Sequence, residues 1–238
     1  MLPDLADYRP KYKTIIPTTK KEIVYSPYIK NQEKSILIAA QEDDFSSLIS
    51  TLENIIKECS NESINTIVDF SYLLTFIKAK SNGSEHTFSI PECKNPECDN
   101  KKIEVHVQDM LEHIQIKNED KLKSVYKLTD DISIKLVPTK VDMLKEIKME
   151  NTPDNIEKQT KNLLIYSIDY VVFKDKIIKD FTKEELEEKI IKNLTPKQER
   201  EIAKEIDDLI SVLFSIKYKC PKCGEEHTEE IRNFLFSN

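Results

Sequence analysis

Glycine occurs only twice in the 238 residues, at Gly83 and Gly224, and tryptophan does not occur at all. Two glycines cannot supply a glycine-rich phosphate loop, a dinucleotide-binding fingerprint or a nucleophile elbow, each of which needs backbone that tolerates left-handed angles or close approach at several positions. Most nucleotide enzymes are disfavoured at this step. Arginine is nearly missing too, with Arg9, Arg200 and Arg232 alone, and 36 basic against 43 acidic side chains leave a net charge of −7. Nucleic-acid binders draw most of their affinity from cations on phosphates, so the sign here is the wrong one. No run approaches the roughly 18 apolar residues that a membrane span needs. The opening Met1-Leu2-Pro3-Asp4 lacks the basic-then-apolar order of a signal peptide. The expectation is a reducing cytoplasm, where paired cysteines bind metal more often than they form disulfides.

What is present suffices for a core. Apolar residues make up 39% and charged residues 33%, more polar than an average domain but not the composition of a disordered chain. The first thirty residues carry Pro3, Pro10, Pro17 and Pro27 and read as an extended arm holding one short strand, Glu22 to Tyr25. Helices are predicted from Asn31 to Ala40 and from about Asp44 to Cys59, the second with Asp43 or Asp44 as its N-cap. A third follows Asp69 and stops near Asn82-Gly83. After Gly83 the pattern alternates. His86 to Ile90 and Ile103 to Val107 form a hairpin around Cys93-Lys94-Asn95-Pro96-Glu97-Cys98. Short strands follow at Ile114–Ile116, Ser124–Leu128 and Ile132–Leu136. Val141 to Met149 and Asn155 to Tyr166 read as helices, and Tyr170–Phe173 with Ile177-Ile178 as a small hairpin. Thr182 with Glu185 and Thr195-Pro196 with Gln198 are capping boxes that open two more helices, the last reaching about Leu213. A second cysteine-tipped hairpin closes the chain, with Phe214, Ile216 and Tyr218 before Cys220-Pro221-Lys222-Cys223-Gly224 and an alternating tail ending at Phe234-Leu235-Phe236.

The two cysteine pairs carry the one chemical constellation. Thiolates are strong zinc ligands, and a structural site closes with four of them in a tetrahedron. A tight turn lets both sulfurs of a pair point into one sphere, and Gly224 tolerates the backbone angle that follows the second ligand. Cys93, Cys98, Cys220 and Cys223 are therefore predicted to share one structural Zn2+ per chain, although 121 residues lie between Cys98 and Cys220. The plain alternative is four unrelated cysteines. His227 could replace one sulfur, whereas His86, His106 and His113 stand singly. Cys59, on a helix face beside Ile55 and Ile56, reads as a small buried hydrophobe.

Acidic runs such as Glu184-Glu185 and Glu187-Glu188 sit beside lysines and read as solvated helix faces. No Ser-His-Asp or Cys-His ordering stands out, and the expectation is a protein without catalysis.

One resemblance covers most of the chain. Its residues are Ser26-Pro27-Tyr28-Ile29-Lys30-Asn31-Gln32-Glu33-Lys34, Leu37-Ile38-Ala39-Ala40-Gln41-Glu42 and Asp69-Phe70-Ser71-Tyr72-Leu73, with Ile77-Lys78-Ala79-Lys80-Ser81-Asn82-Gly83 after them. Lys127-Leu128-Thr129-Asp130-Asp131-Ile132 and Leu136-Val137-Pro138-Thr139 complete it. In order and spacing these words resemble the baseplate hub assembly protein family of T-even-like contractile-tailed bacteriophages, whose members often have Arg where Lys78 stands and Val where Asn82 stands. The resemblance implies a non-enzymatic hub component or assembly factor that contacts other tail baseplate or hub proteins, located in the host cytoplasm during assembly or in the virion tail.

The expected fold is α+β, a mainly helical body with a split zinc-ribbon-like β unit formed by two cysteine-tipped hairpins. Its segments are 1–30 (arm), 31–83 (helical), 84–137 (β, first knuckle), 138–213 (helical) and 214–238 (second knuckle). The competing reading is a zinc-ribbon nucleic-acid or transcription-related protein, which Glu225, Glu226, Glu229 and Glu230 after the second knuckle oppose by repelling phosphate.

Overall fold

Prolines flank the first two strands and do not interrupt them. In the computed structural model, which describes residues 5–42, 44–147 and 152–231, β1 (Tyr12–Ile15) lies between Pro10 and Pro17, and β2 (Glu22–Tyr25) ends before Pro27. The two pair antiparallel, Thr14 opposite Ile23. The expected arm is thus folded back along much of its length. Ile16, Ile23 and Tyr25 are buried in a core with the helices that follow.

Those helices are α1 (Lys30–Gln41), α2 (Phe45–Ser60) and α3 (Ile67–Asn82). Asp44 caps α2, its carboxylate accepting the Ser46 N–H at 3.0 Å, and Ile49, Leu52, Ile55, Ile56 and Cys59 form the buried stripe. The third helix begins three residues earlier than its sequence pattern suggests, at Ile67. Thr66 is the N-cap, and Asp69 lies in the first turn. Asp69 is buried there because Thr18 donates to it through both its backbone N–H and its hydroxyl, which fastens the hairpin to the helix N-terminus. Both faces of α3 are apolar. Phe70, Leu73, Leu74 and Ile77 face the first core, while Tyr72 and Ala79 face a different one, so this helix is an internal wall.

Two β units pack on its far side. β3 (His86–Glu92) and β4 (Lys101–Val107) form a hairpin with Phe88 opposite Val105. β5 (Ile114–Lys117) then runs antiparallel to a long strand late in the chain, residues 211–219.

The middle of the chain builds another layer. β6 (Ser124–Lys127), β7 (Ile132–Leu136), β8 (Ile168–Phe173) and β9 (Lys176–Ile178) form one antiparallel sheet in that order. The expected Tyr170–Ile178 hairpin is therefore two strands of a larger sheet. α5 (Pro153–Ser167), α6 (Lys183–Lys189) and α7 (Pro196–Asp207) cover it, burying Ile134, Leu136, Leu164, Leu186 and Ile202. Both capping boxes form as spelled. Of the helix expected over Val141–Met149, only the single turn α4 (Asp142–Lys145) forms within the described residues, and Lys148 and Met149 lie outside them.

The clearest correction concerns the last helix. It ends at Asp207, and Ser211 already belongs to β10 (Ser211–Lys219). Ile206, Leu209, Ile210 and Leu213 match helical spacing, but Val212, Phe214, Ile216 and Tyr218 are also a period-two set, and pairing with β5 lets the second pattern win. β10 is the middle strand of a sheet ordered β11-β10-β5, with β11 spanning Glu226–Ile231. Phe214 and Ile216 from this sheet, Phe88 and Val107 from the hairpin, and Tyr72 from α3 make the third core. The Phe234-Leu235-Phe236 tail lies outside the described residues.

Candidate metal centre

Two loops meet at the open ends of two different sheets. The first connects β3 to β4, where the Cys93 N–H bonds to the Asn100 carbonyl and the Cys98 N–H to that of Asn95, both at 3.0 Å. The second connects β10 to β11, where the Cys220 N–H bonds to the Glu225 carbonyl and the Gly224 N–H to that of Cys220, both at 2.9 Å. Gly224 has φ +75°, the left-handed value that turns the chain back after the second cysteine. Beneath both loops Ile90, Ile103 and Tyr218 pack with Cys93 and Cys220, so the strands themselves aim the tips at each other.

All four sulfurs lie within 4.8 Å of one another. The Cys93 and Cys223 sulfurs are 3.8 Å apart, and those of Cys98 and Cys220 are 3.9 Å apart. Two thiolates on one tetrahedral zinc, with Zn–S bonds of about 2.3 Å, stand about 3.8 Å apart, whereas a disulfide needs about 2.05 Å. The spacing fits four ligands around one ion, and the donor set suits a soft or borderline divalent metal. The four cysteines form a cluster that could hold such an ion.

The protons of the cluster are in conflict. At Cys220 the Cys223 backbone N–H outweighs burial, helped by the Asn100 amide and the Lys222 backbone N–H, and the pKa falls to about 6. At Cys93 the Asn95 backbone N–H pulls downward, but burial and the neighbouring thiols together push the pKa up to about 12. Cys223 also moves upward, where the Glu225 backbone contact that lowers it is outweighed by burial and the Cys220 and Cys98 thiols. The Cys220 thiolate forms readily, and its charge opposes ionisation of Cys93 and Cys223 beside it. A divalent cation at the centre removes that repulsion.

Several neighbours were not legible from spacing. The Asn100 amide reaches the Cys220 sulfur at 3.5 Å, as a donor to a ligand from the opposite loop. Lys222 pairs with Asp99, and Lys94 bonds both the Thr228 carbonyl at 2.6 Å and the Glu229 carboxylate at 2.7 Å, so each loop is tied to the other side. Their opposite charges in the two cysteine loops are the one signal that could have suggested them. His227, across β10–β11 from Tyr218, places its Nε2 3.3 Å from the Cys93 sulfur. The other three histidines are engaged elsewhere. His106 Nδ1 meets the Thr87 hydroxyl at 2.6 Å, His113 Nδ1 meets the Ser215 carbonyl at 3.2 Å, and the His86 ring lies 4.5 Å from that of Phe88. Cys59 is in the first core, where burial pushes its thiol up to about 11.

No described helix is long and apolar enough to cross a membrane. No curated protein and no solved structure matches the chain. A family profile described as "T4 bacteriophage base plate protein" does match, over residues 9–235. That span takes in both strands of the first hairpin, the hydrophobic cores and the four cysteines of the cluster, and the chain belongs to this family of T4-like phage base plate proteins.

Proposed function

We propose that the chain is a non-enzymatic component or assembly factor of the tail baseplate hub. On this reading it acts through contacts with other phage baseplate proteins, and one structural zinc ion is held by Cys93, Cys98, Cys220 and Cys223. The family match over residues 9–235 carries the baseplate role, and the tetrahedral spacing of the four sulfurs carries the metal. A zinc bound by four thiolates keeps no open position at which to activate water, so its contribution is mechanical. It joins the hairpin after α3 to the hairpin after α7, and the pair then acts as a split zinc-ribbon-like unit. The expected locations are the host cytoplasm during assembly and the virion tail baseplate.

The nucleic-acid reading is disfavoured by charge. Glu226, Glu229 and Glu230 all lie on β11, beside the second cysteine loop. Metal analysis of protein purified under reduction should give about one zinc per chain, and a metal-free protein would sink the zinc reading. Pull-down with the hub proteins of the same phage should recover at least one of them, while an anisotropy titration at about 150 mM salt should show no specific DNA or RNA binding. An empty pull-down with tight nucleic-acid binding would reverse the assignment.

A further inference from the structure

Resting on the metal reading above, we propose that His227 is a reserve ligand, taking the fourth position on the metal when Cys223 is removed or blocked. Cys223 is the exposed member of the four, while Cys93 and Cys220 are buried and Cys98 is partly so. The corner it occupies therefore faces solvent. His227 stands at that corner. Its Nε2 is 3.3 Å from the Cys93 sulfur, close to the roughly 3.6 Å that separates a thiolate and an imidazole nitrogen sharing one tetrahedral zinc, given Zn–S of about 2.3 Å and Zn–N of about 2.05 Å. Cys223, Glu225 and His227 also offer one donor atom each within 4.8 Å of one another.

The fold holds the imidazole there independently of any metal. Gly224 reverses the chain, β11 pairs with β10, and residue 227 falls opposite Tyr218, whose ring lies 5.5 Å from the imidazole at 43°. His227 is half-buried on this support. Glu225 is fully on the surface, and imidazole suits a zinc-like ion better than a lone carboxylate does. With Cys223 in place, His227 lies beside the bound Cys93 sulfur as a hydrogen-bonding neighbour. Without it, the His227 nitrogen completes a set of three sulfurs and one nitrogen, common in structural zinc sites.

Cobalt(II) added to the full-length apo-protein under anaerobic reduction reads the ligand set directly, because thiolate-to-cobalt absorption scales with the number of sulfurs and the visible bands move to shorter wavelength when nitrogen replaces one. The wild type and His227→Ala should both show four sulfurs. Cys223→Ala should still bind, with charge-transfer intensity about three-quarters of wild type and blue-shifted visible bands, as a three-sulfur, one-nitrogen site requires. Adding His227→Ala to Cys223→Ala should weaken cobalt binding roughly 10- to 100-fold more. Equal affinities of the single Cys223→Ala chain and the double variant overturn the proposal, as does a Cys223→Ala chain that cobalt cannot refold while Cys223→His does refold. A wild type that binds no cobalt refutes the metal reading itself, which keeps the two failures distinct.

Discussion

Cys59 and Cys220 are both buried, yet their surroundings demand different things of the same side chain. Cys59 sits among Ile55, Ile56 and Leu73 of the first core, where a thiol is a small apolar filler. Cys220 accepts donors from Asn100, Cys223 and Lys222, which favour its thiolate. Cys59→Ala should leave the metal content unchanged and cost stability in proportion to the small volume lost, on the order of 1 kcal/mol. Cys220→Ser should lower both metal content and melting temperature, because ligand binding at a structural site is also folding energy. Unchanged thermal melting of Cys220→Ser would remove the staple from the account. Gly224→Ala isolates the backbone. The added methyl meets nothing closer than the Lys219 side chain at 3.8 Å, so the expected loss of about 1–2 kcal/mol comes from φ +75° alone, and a denaturant titration should register it.

Among the elements, the hairpin at the start of the chain depends on one polar contact as well as on apolar burial. Thr18 gives Asp69 two hydrogen bonds across 51 residues of sequence, and Asp69 is almost wholly buried. Thr18→Val removes the hydroxyl donor from a buried carboxylate. It should cost about 1–3 kcal/mol by urea unfolding, whereas Thr19→Val next to it, on the exposed turn, should be near neutral. The same element shows where sequence reading stops. Elements announced by local chemistry were legible. The Asp44 cap, the helical stripe of α2, the capping boxes at Thr182 and Thr195, and the two alternating hairpins around the cysteines all appear where their residues place them. Elements decided by distant partners were not. Ile210 to Leu213 satisfies either period until β5 pairs with it, and Tyr170–Phe173 announces a hairpin without announcing β7 as a second neighbour. In the cysteine cluster, the four thiols that come together could be named from spacing, but Asn100 and Lys94 act across the gap between two loops, and no local pattern encodes that.

At the scale of the whole molecule, α3 separates a helical core from the β units, and the cysteine cluster lies at the far end of the latter. If the cluster holds the proposed metal, its removal should therefore act unevenly. Treatment with a strong chelator is expected to speed amide exchange in β3, β4, β10 and β11 well before α2 and α3, because the first core does not include the cluster. Uniform acceleration over all of these elements would mean that the cluster supports the entire fold. The separation of the two cysteine loops also has a meaning in time. A ribosome adding about 5–20 residues per second takes roughly 6–24 s to pass through the 121 residues between Cys98 and Cys220. Throughout that interval the first two sulfurs are a half-built ligand set on a nascent chain, and the strand that carries their partners, β10, has yet to be made. The first hairpin and α1 to α3 are made by Asn82, and Val141 and Leu144 join their core before β10 is reached, so the gathering of the four sulfurs marks the moment when the second half of the chain has closed upon the first.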